Sequence, residues 1–579
     1  MPTIGVKRSL LFNELGQKYT DEEFDQLCFD YGLELDDIEP LPETNGEDVE
    51  YKIEIPANRY DILCLEGLSR ALKIFLQKIE MPKFHISSNQ KLIRMKILPN
   101  TQRIRPIVVG AVLRNITFNA DSYNSFIKLQ EKLHLNLCRN RTLVAIGTHD
   151  LDTIQPPFIY DAREPKQIKF RSLNQKDEMR ADEMMEFYLK DTHLKRYVSI
   201  IQDSDVYPVI YDSKNVVLSL PPIINGDHSK ISVNTKNVFI ECTAVDLHKA
   251  NVVLNIMVTM FAQYCSKPFE IEPVEVEQVD GKVIVYPDLS DRVQDISVKK
   301  VNQRIGIEVD AKKTATLLNR MCLETKIIDS DTIRVNIPVT RADILHFCDI
   351  AEDCAVAYGF NNICKTVPKT SCIGNQFELN RVSDLLRHSV AESGFIEALT
   401  FTLCSCSDAA EKFGKNIENI PAVHIANPKT QDFQIGRTSL LPGLLKTIAN
   451  NQGTALPIQL FEVSDVILKD STRETGCRNE RRLCAVFYNK TPGFETIHGL
   501  LDRVMTLVKV PYNENRTNNE GYYLNNQCED SGFFPDRHAQ VIVCGQNIGV
   551  IGVLHPNVIE NFGLKLPCSI LEINIEPFV

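Results

Sequence analysis

Apolar residues recur along this chain at helical or strand spacing, and proline, glycine and short polar clusters punctuate the runs. Thr20-Asp21-Glu22-Glu23 supplies an N-cap and an acidic first turn, so an amphipathic helix is expected over Phe24 to Tyr31, stopped by Gly32. A strand is predicted over Tyr51 to Ile55, ended by Pro56, and a helix from about Asp61 to Gln77. Ser87 to Gln90 reads as a polar connector. Beyond it the pattern predicts a strand over Pro106 to Leu113, a helix over Ser122 to Leu135 and a hairpin over Val206 to Leu220, turning at Asp212-Ser213-Lys214-Asn215. Val238 to Glu241 reads as a strand feeding an apolar helix from Leu247. Thr366 to Asn375, with Pro368 and Gly374, reads as a linker. After it, helices over Arg381 to Ser393, Leu440 to Asn451 and Thr496 to Val508 alternate with strands. The strands Pro457 to Leu468, Leu483 to Tyr488 and Ile570 to Ile575 predict an antiparallel sheet with helices packed on it.

One segment occurs twice. Ile55-Pro56-Ala57-Asn58-Arg59-Tyr60-Asp61-Ile62-Leu63 returns as Ile337-Pro338-Val339-Thr340-Arg341-Ala342-Asp343-Ile344-Leu345, identical at six of nine positions. The second copy continues with Asp349, Glu352 and Asp353 where the first has Gly67, Arg70 and Ala71. What the copies share points to fold, and what they do not share points to function. Pro338 should end a strand over Thr332 to Ile337, with a helix from about Asp343 to Tyr358 and Gly359 at its C′ position. At about 100° per residue, Phe347, Cys348, Ala351, Cys354, Ala355 and Tyr358 share one face, and Asp349, Glu352 and Asp353 lie opposite. Asp61 and Asp343 are read as helix caps. Clustered like charges cost roughly 0.2–0.5 kcal/mol per pair, so the acidic face is either simply solvated or holds a hard cation such as Mg²⁺.

Length allows roughly three or four cores. A net charge of -12 argues against a general nucleic-acid coat or a cationic membrane binder. Local basic runs, Met1 to Arg8 and Lys91 to Arg105, leave room for RNA contact. The 17 cysteines include no Cys-x-x-Cys pair, and the first residues form no apolar signal core, which predicts reduced thiols and a cytoplasmic location. Leu247 to Cys265 is broken by His248, Lys249, Asn251, Asn255 and Gln263, so it predicts a buried helix and no membrane span. The Asn-x-Ser/Thr sites at Asn115, Asn489 and Asn515 carry no meaning in that compartment.

The string Arg341-x-Asp343-x5-Asp349-x2-Glu352-Asp353-x4-Tyr358-Gly359-Phe360 resembles the signature of the phenylalanyl-tRNA synthetase β-subunit family. So do Leu27 to Leu35, Gly147-Thr148-His149-Asp150-Leu151-Asp152 and Leu220-Pro221-Pro222-Ile223-Ile224-Asn225-Gly226, in the cytosolic eukaryotic form. The resemblance implies that Asp343, Asp349, Glu352 and Asp353 bind Mg²⁺ near an α-subunit contact, with Asp353 standing where bacterial members more often have Glu. It further implies an α2β2 heterotetramer that charges tRNA-Phe with phenylalanine, ATP being a substrate of the complex. Arg437-Thr438-Ser439-Leu440-Leu441-Pro442-Gly443 and Leu460-Phe461-Glu462-Val463 resemble the β-subunit version of the class II catalytic fold. No Phe-Arg-x-Glu or Gly-x-Gly-x-x-Arg is present to hold ATP, so that domain is expected to be non-catalytic and to serve dimerisation.

In this family the region around 105 to 275 hydrolyses Tyr mistakenly attached to tRNA-Phe. A hydrophobic synthetic pocket rejects an added hydroxyl only weakly, which is why a second site is needed. The candidates are Glu241 and Thr243 on one strand face, Asp246, and the Leu220 to Gly226 wall with Leu220 and Asn225. Asp246 serves equally as an N-cap for the helix from Leu247. His149 with Asp150 and Asp152 reads as structural, one histidine beside two acids being a weak metal set. The expected fold is α+β and multidomain. Its parts are an N-terminal module over 1–90, an editing domain over 100–275, a Mg²⁺-binding module over 277–362 and a class II-like domain over 368–579. The alternative function is a non-enzymatic RNA-binding or assembly scaffold with a structural Mg²⁺ site.

Overall fold

The computed structural model describes residues 2–41, 48–88, 91–514 and 520–579. Met1, Asn515 and the Asn89-Gln90 end of the expected connector lie outside the described residues. The chain is an α+β multidomain protein in two compact units, Met1–Val367 and Pro368–Val579.

Within the first unit the repeat is far longer than its nine matching residues. The first copy runs strand, helix, helix, strand, strand, helix: Thr3–Lys7, Arg8–Leu15, Asp21–Tyr31, Glu34–Pro40, Val49–Glu54 and Leu65–Phe75. The second follows the same order with Arg292–Ser297, Val298–Ile305, Ala311–Arg320, Glu324–Ile327, Thr332–Ile337 and Phe347–Tyr358. In both, the third strand lies between the first and second in an antiparallel sheet. The turns correspond as well. Thr20 caps the second helix of one copy through a capping box, and Asp310 caps its counterpart. Tyr31-Gly32-Leu33-Glu34 answers to Met321-Cys322-Leu323-Glu324, with Gly32 at φ 85° and Cys322 at φ 63°. A left-handed residue is required at that turn in each copy, and the second copy makes it with a side chain in place.

The repeated Arg-x-Asp turn is where the two copies differ from expectation. Neither aspartate caps a helix. A short 3₁₀ turn, Tyr60–Ile62, precedes the first helix, which starts at Leu65; its counterpart starts at Phe347. The Arg59 guanidinium donates from both Nε and Nη2 to the two oxygens of Asp61, each at 2.9 Å, and from Nη2 to the Tyr31 hydroxyl at 2.8 Å. Arg341 repeats the fork on Asp343 at 3.0 and 2.7 Å, and adds Asp353 at 2.7 Å and the Met321 carbonyl. An arginine two residues before an aspartate has the reach for a bidentate pair, and burial makes that pairing worth more than a cap. Arg320 joins the copies at their other ends, donating to the Phe75 and Ala357 carbonyls at 2.9 Å each. Those carbonyls close the two repeated helices, where a cation is favourable.

Between the two copies in sequence lies a large mixed sheet of eleven strands. Its main path runs Ile224–Asn225, Val217–Leu220, Tyr207–Tyr211, Phe158–Arg163, Ile93–Ile97, Glu270–Glu277, Ile107–Leu113, Val238–Ala244 and Val144–Asp150. The apolar run from Leu247 forms the buried helix Leu247–Phe261, and no described helix is long and apolar enough to cross a membrane.

The second unit is built on a seven-stranded sheet, antiparallel except for the edge strand Ile396–Glu397 beside Ile458–Lys469. Alternation decides its two faces. Leu483, Ala485, Leu571 and Ile573 pack with helices Glu378–Glu392 and Phe494–Leu507; Cys484, Val486 and Ile570 pack with Leu441–Asn450 and Pro556–Asn561. The two motifs noted in its sequence meet, because buried Arg437 donates to Glu462 at 2.7 Å.

Removing one partner from a buried ion pair strands the other. Arg341→Ala is therefore expected to cost about 3–5 kcal/mol of stability, read as a lower denaturant midpoint, whereas exposed Glu352→Ala should stay within about 0.5 kcal/mol.

Candidate functional site

The four acids of the second copy have three different occupations. Asp343 and Asp353 both bind Arg341, whose side chain has no exposed surface. Asp349 accepts from the backbone N–H groups of Leu345 and His346 at 2.7 and 2.8 Å, closing the start of the helix. Glu352 is exposed. Asp353, expected on the solvated face, is buried beneath the Arg341 guanidinium. Burial pushes its carboxyl up to about 6 against the pull of Arg341. Arg341 holds Asp343 below the usual carboxylate range, outweighing its own burial. Among the described residues no three His, Cys, Asp or Glu side chains are grouped to hold a metal. The residues thus do not fit the expected four-acid Mg²⁺ cage: a guanidinium takes two of the four, and backbone N–H groups take a third.

The first copy explains why the acids differ. Its Gly67 lies so close to the backbone that a Cβ would fall 1.9 Å from the Asp61 carbonyl and 3.0 Å from Met260 Sδ. Arg70 donates to the Thr259 and Met260 carbonyls at 3.2 and 3.3 Å and to Gln263 at 2.8 Å. That face is covered by the end of the Leu247–Phe261 helix. The matching face of the second copy carries half-buried Asp349 and exposed Glu352.

The other candidate group surrounds a cavity of about 440 Å³ in the first unit. Val238–Ala244 and Val144–Asp150 form one wall, with Glu241 paired opposite Gly147. The strands at the far end of the sheet return to them: Ser219 Oγ donates to Glu241 Oε1 at 3.0 Å, and Asn225 Nδ2 to the Thr148 carbonyl at 3.4 Å. Gly147 makes the room, since a Cβ there would sit 2.0 Å from Glu241 Oε1. Glu241 is only 1% exposed, lines the cavity, and its Oε2 has no hydrogen-bond partner. Behind it His149 is fully buried, bound to Ser229 Oγ at 2.8 Å, with Nε2 3.8 Å from Glu241 Oε1. Asp150 and Asp152 do not join it as ligands; they accept from Thr235 and Asn237.

Asn225 also lines the cavity, with the Pro221 to Ile224 turn. The other three candidates stand off it. Thr243 is buried on Arg105, accepting at 3.2 Å. Leu220 sits in an apolar cluster. Asp246 accepts from the Lys249 N–H at 3.1 Å and caps the following helix.

The sequence reading missed His134 and Arg141. His134 accepts the Ile146 N–H at 2.9 Å, and burial drives its pKa well below the ordinary value, so it is neutral. Arg141 donates to the Pro222 and Ile223 carbonyls at 3.2 and 2.9 Å, and its guanidinium lies 4.2 Å from the Tyr197 ring centroid. It ends a run of three left-handed residues, Arg139, Asn140 and Arg141, at φ 45°, 52° and 64°. The available signal was the basic turn Arg139-Asn140-Arg141 after an amphipathic helix.

Comparison with known proteins covers the chain almost continuously. The Phe-tRNA synthetase beta subunit B1 domain matches residues 1–78, the B3/4 domain 94–266, and the tRNA synthetase B5 domain 294–360. The phenylalanyl tRNA synthetase beta chain CLM domain matches 363–575. Phenylalanine–tRNA ligase beta subunits of Drosophila melanogaster and Homo sapiens are 55% and 53% identical, each alignment covering 100% of both chains. A crystal structure of an N-terminal fragment of the phenylalanyl-tRNA synthetase beta subunit from Pyrococcus horikoshii superposes with a TM-score of 0.57 at 32% identity. It covers 62% of this chain and 99% of the fragment. Matched end to end at more than half its positions, this chain belongs to the phenylalanine–tRNA ligase beta subunit family.

Proposed function

We propose that this chain assembles with a catalytic alpha subunit in an α2β2 heterotetramer that charges tRNA-Phe in the cytoplasm, and that its own cavity hydrolyses Tyr-tRNA-Phe. The observation that carries the editing role is the unpartnered Oε2 of Glu241, a buried carboxylate on the wall of a partly open cavity. A phenol hydroxyl entering the cavity donates to that oxygen; phenylalanine brings no such donor and leaves it unpaired. Sites built on that contrast reject the lacking analogue by about 10⁴–10⁵. Ser219 fixes the carboxylate from one side and Gly147 keeps it close to the strand. A water positioned on the ester carbonyl completes the reaction, releasing tyrosine and the RNA 3′-hydroxyl.

Synthesis belongs to the partner in this reading, because the second unit lacks the arginine motifs that neutralise ATP phosphates. ATP and its Mg²⁺ act there, and no step is assigned to Asp343, Asp349, Glu352 or Asp353. The edge of the second unit's sheet supports a docking role. Around the edge strand, Ile396, Leu399 and Phe401 are exposed, the last two by 84% and 80%. Large apolar side chains exposed beside an unpaired strand edge are characteristic of an interface. The cytoplasmic assignment is supported by the Arabidopsis thaliana relative, 46% identical and named as the cytoplasmic subunit.

Glu241→Ala in the assembled complex is expected to slow Tyr-tRNA-Phe hydrolysis by roughly 10- to 100-fold and to leave Phe-tRNA-Phe synthesis intact, as measured by deacylation of pre-charged tRNA. Wild-type deacylation by the variant would place the phenol contact elsewhere. Leu399→Asp with Phe401→Asp should weaken assembly by about 2 kcal/mol or more, seen as free alpha subunit on size-exclusion chromatography. The isolated chain should catalyse no pyrophosphate exchange with phenylalanine and ATP.

A further inference from the structure

We propose that Arg141 is an anion anchor in the editing cavity, holding the 5′-phosphate of the terminal nucleotide of the aminoacylated RNA. The proposal rests on the editing reading above. Arg141 lines the same cavity as Glu241 and has no ion-pair partner among the described residues. Its Nε is sealed from solvent without a hydrogen-bond partner, and its side-chain hydrogen bonds both leave from Nη1. Arg141 as a whole is half-buried, and the fully buried arginines are settled differently. Arg59, Arg341 and Arg437 are paired with carboxylates. Arg70 and Arg105 have none, but each spreads hydrogen bonds over carbonyl and side-chain acceptors. Arg141 alone in this group keeps an unused buried N–H.

Of the acids near it, Asp191 accepts from the His193 and Leu194 N–H groups at 2.8 Å each, Glu241 is held by Ser219, and exposed Glu131 acts on Arg141 through charge but makes no ion pair with it. Arg196 lies over the same Tyr197 ring at 4.8 Å, a second guanidinium beside Arg141. Two backbone carbonyls and an aromatic ring fix the guanidinium, and three consecutive left-handed residues deliver it.

The identity of the anion follows from the chemistry of the substrate. An aminoacyl ester has no free carboxylate, so the anion nearest the ester is the phosphate of the nucleotide that carries it. A guanidinium suits phosphate because its fork presents two parallel N–H donors. A cavity of about 440 Å³ is of the size that takes an aminoacyl nucleotide and excludes a folded RNA arm. Glu241 then reads the side chain while Arg141 registers the RNA end.

The test uses the assembled complex and two non-hydrolysable probes, the 3′-amide analogues of tyrosyl-adenosine with and without a 5′-phosphate, titrated calorimetrically. The wild type is expected to bind the phosphorylated probe at least 10-fold tighter. Arg141→Gln should bind the two equally, and Arg141→Lys should recover part of the preference, with Phe-tRNA-Phe synthesis unchanged in both. A preference that survives Arg141→Gln overturns the anchor. A wild-type complex that hydrolyses Tyr-tRNA-Phe yet shows no phosphate preference overturns the anchor alone. One that binds neither probe and hydrolyses nothing overturns the editing reading and the anchor together.

Discussion

The guanidinium of Arg341, with no surface exposed to water, decides how the second repeated module is built. Two carboxylates and a backbone carbonyl surround it, and the same turn in the first copy sets Arg59 on Asp61 and Tyr31. A buried arginine needs its charge answered inside the protein, since the desolvation cost is several kcal/mol per ion. That need fixes the path of the chain from strand to helix in both copies. It also absorbs two of the four acids that would otherwise stand free for a cation. The conflict between the family signature and the geometry is resolved at this point: the signature marks an ion cluster at least as much as a surface.

A duplicated module used with two different neighbours accounts for the rest of the first unit's asymmetry. In one copy the helix face carries Gly67 and Arg70, and it disappears beneath the end of a helix from the central domain. In the other the same face carries half-buried Asp349 and exposed Glu352. The fold is shared, and the substitutions record what covers it. The cavity depends on a similar economy of backbone. Gly147 gives up its side chain so that Glu241 fits across the strand pair, and the far strands of the sheet come back to hold the carboxylate with Ser219.

Much of the fold was legible because it is written locally. Thr20 with Glu23, the hairpin at Asp212 to Asn215 and the apolar run from Leu247 all carry their signals within a few residues. The repeat was legible only through nine residues, although the whole module is duplicated; its other turns keep their backbone conformation while changing residues, as Gly32 and Cys322 show. Asp61 and Asp343 were misread as caps because an acid before a helix suits either role, and only burial shows that the neighbouring arginine wins. Asp353 was placed on the solvated face because a helical wheel knows one helix, whereas Arg341 reaches it from outside. Glu241 could be found in the sequence. Its contacts with Ser219 and Gly147, and the position of Arg141, arise from sheet pairing across distant segments, which leaves no local trace.

The central claim is that this chain contains a hydrolytic site that tells tyrosine from phenylalanine by one hydroxyl. The most direct measurement compares single-turnover deacylation of Tyr-tRNA-Phe and Phe-tRNA-Phe by the purified complex of this chain with its alpha partner. The account predicts that the tyrosyl ester is hydrolysed faster by roughly 10⁴-fold or more, as a site that hydrogen-bonds the phenol requires. Equal rates for the two esters would contradict it.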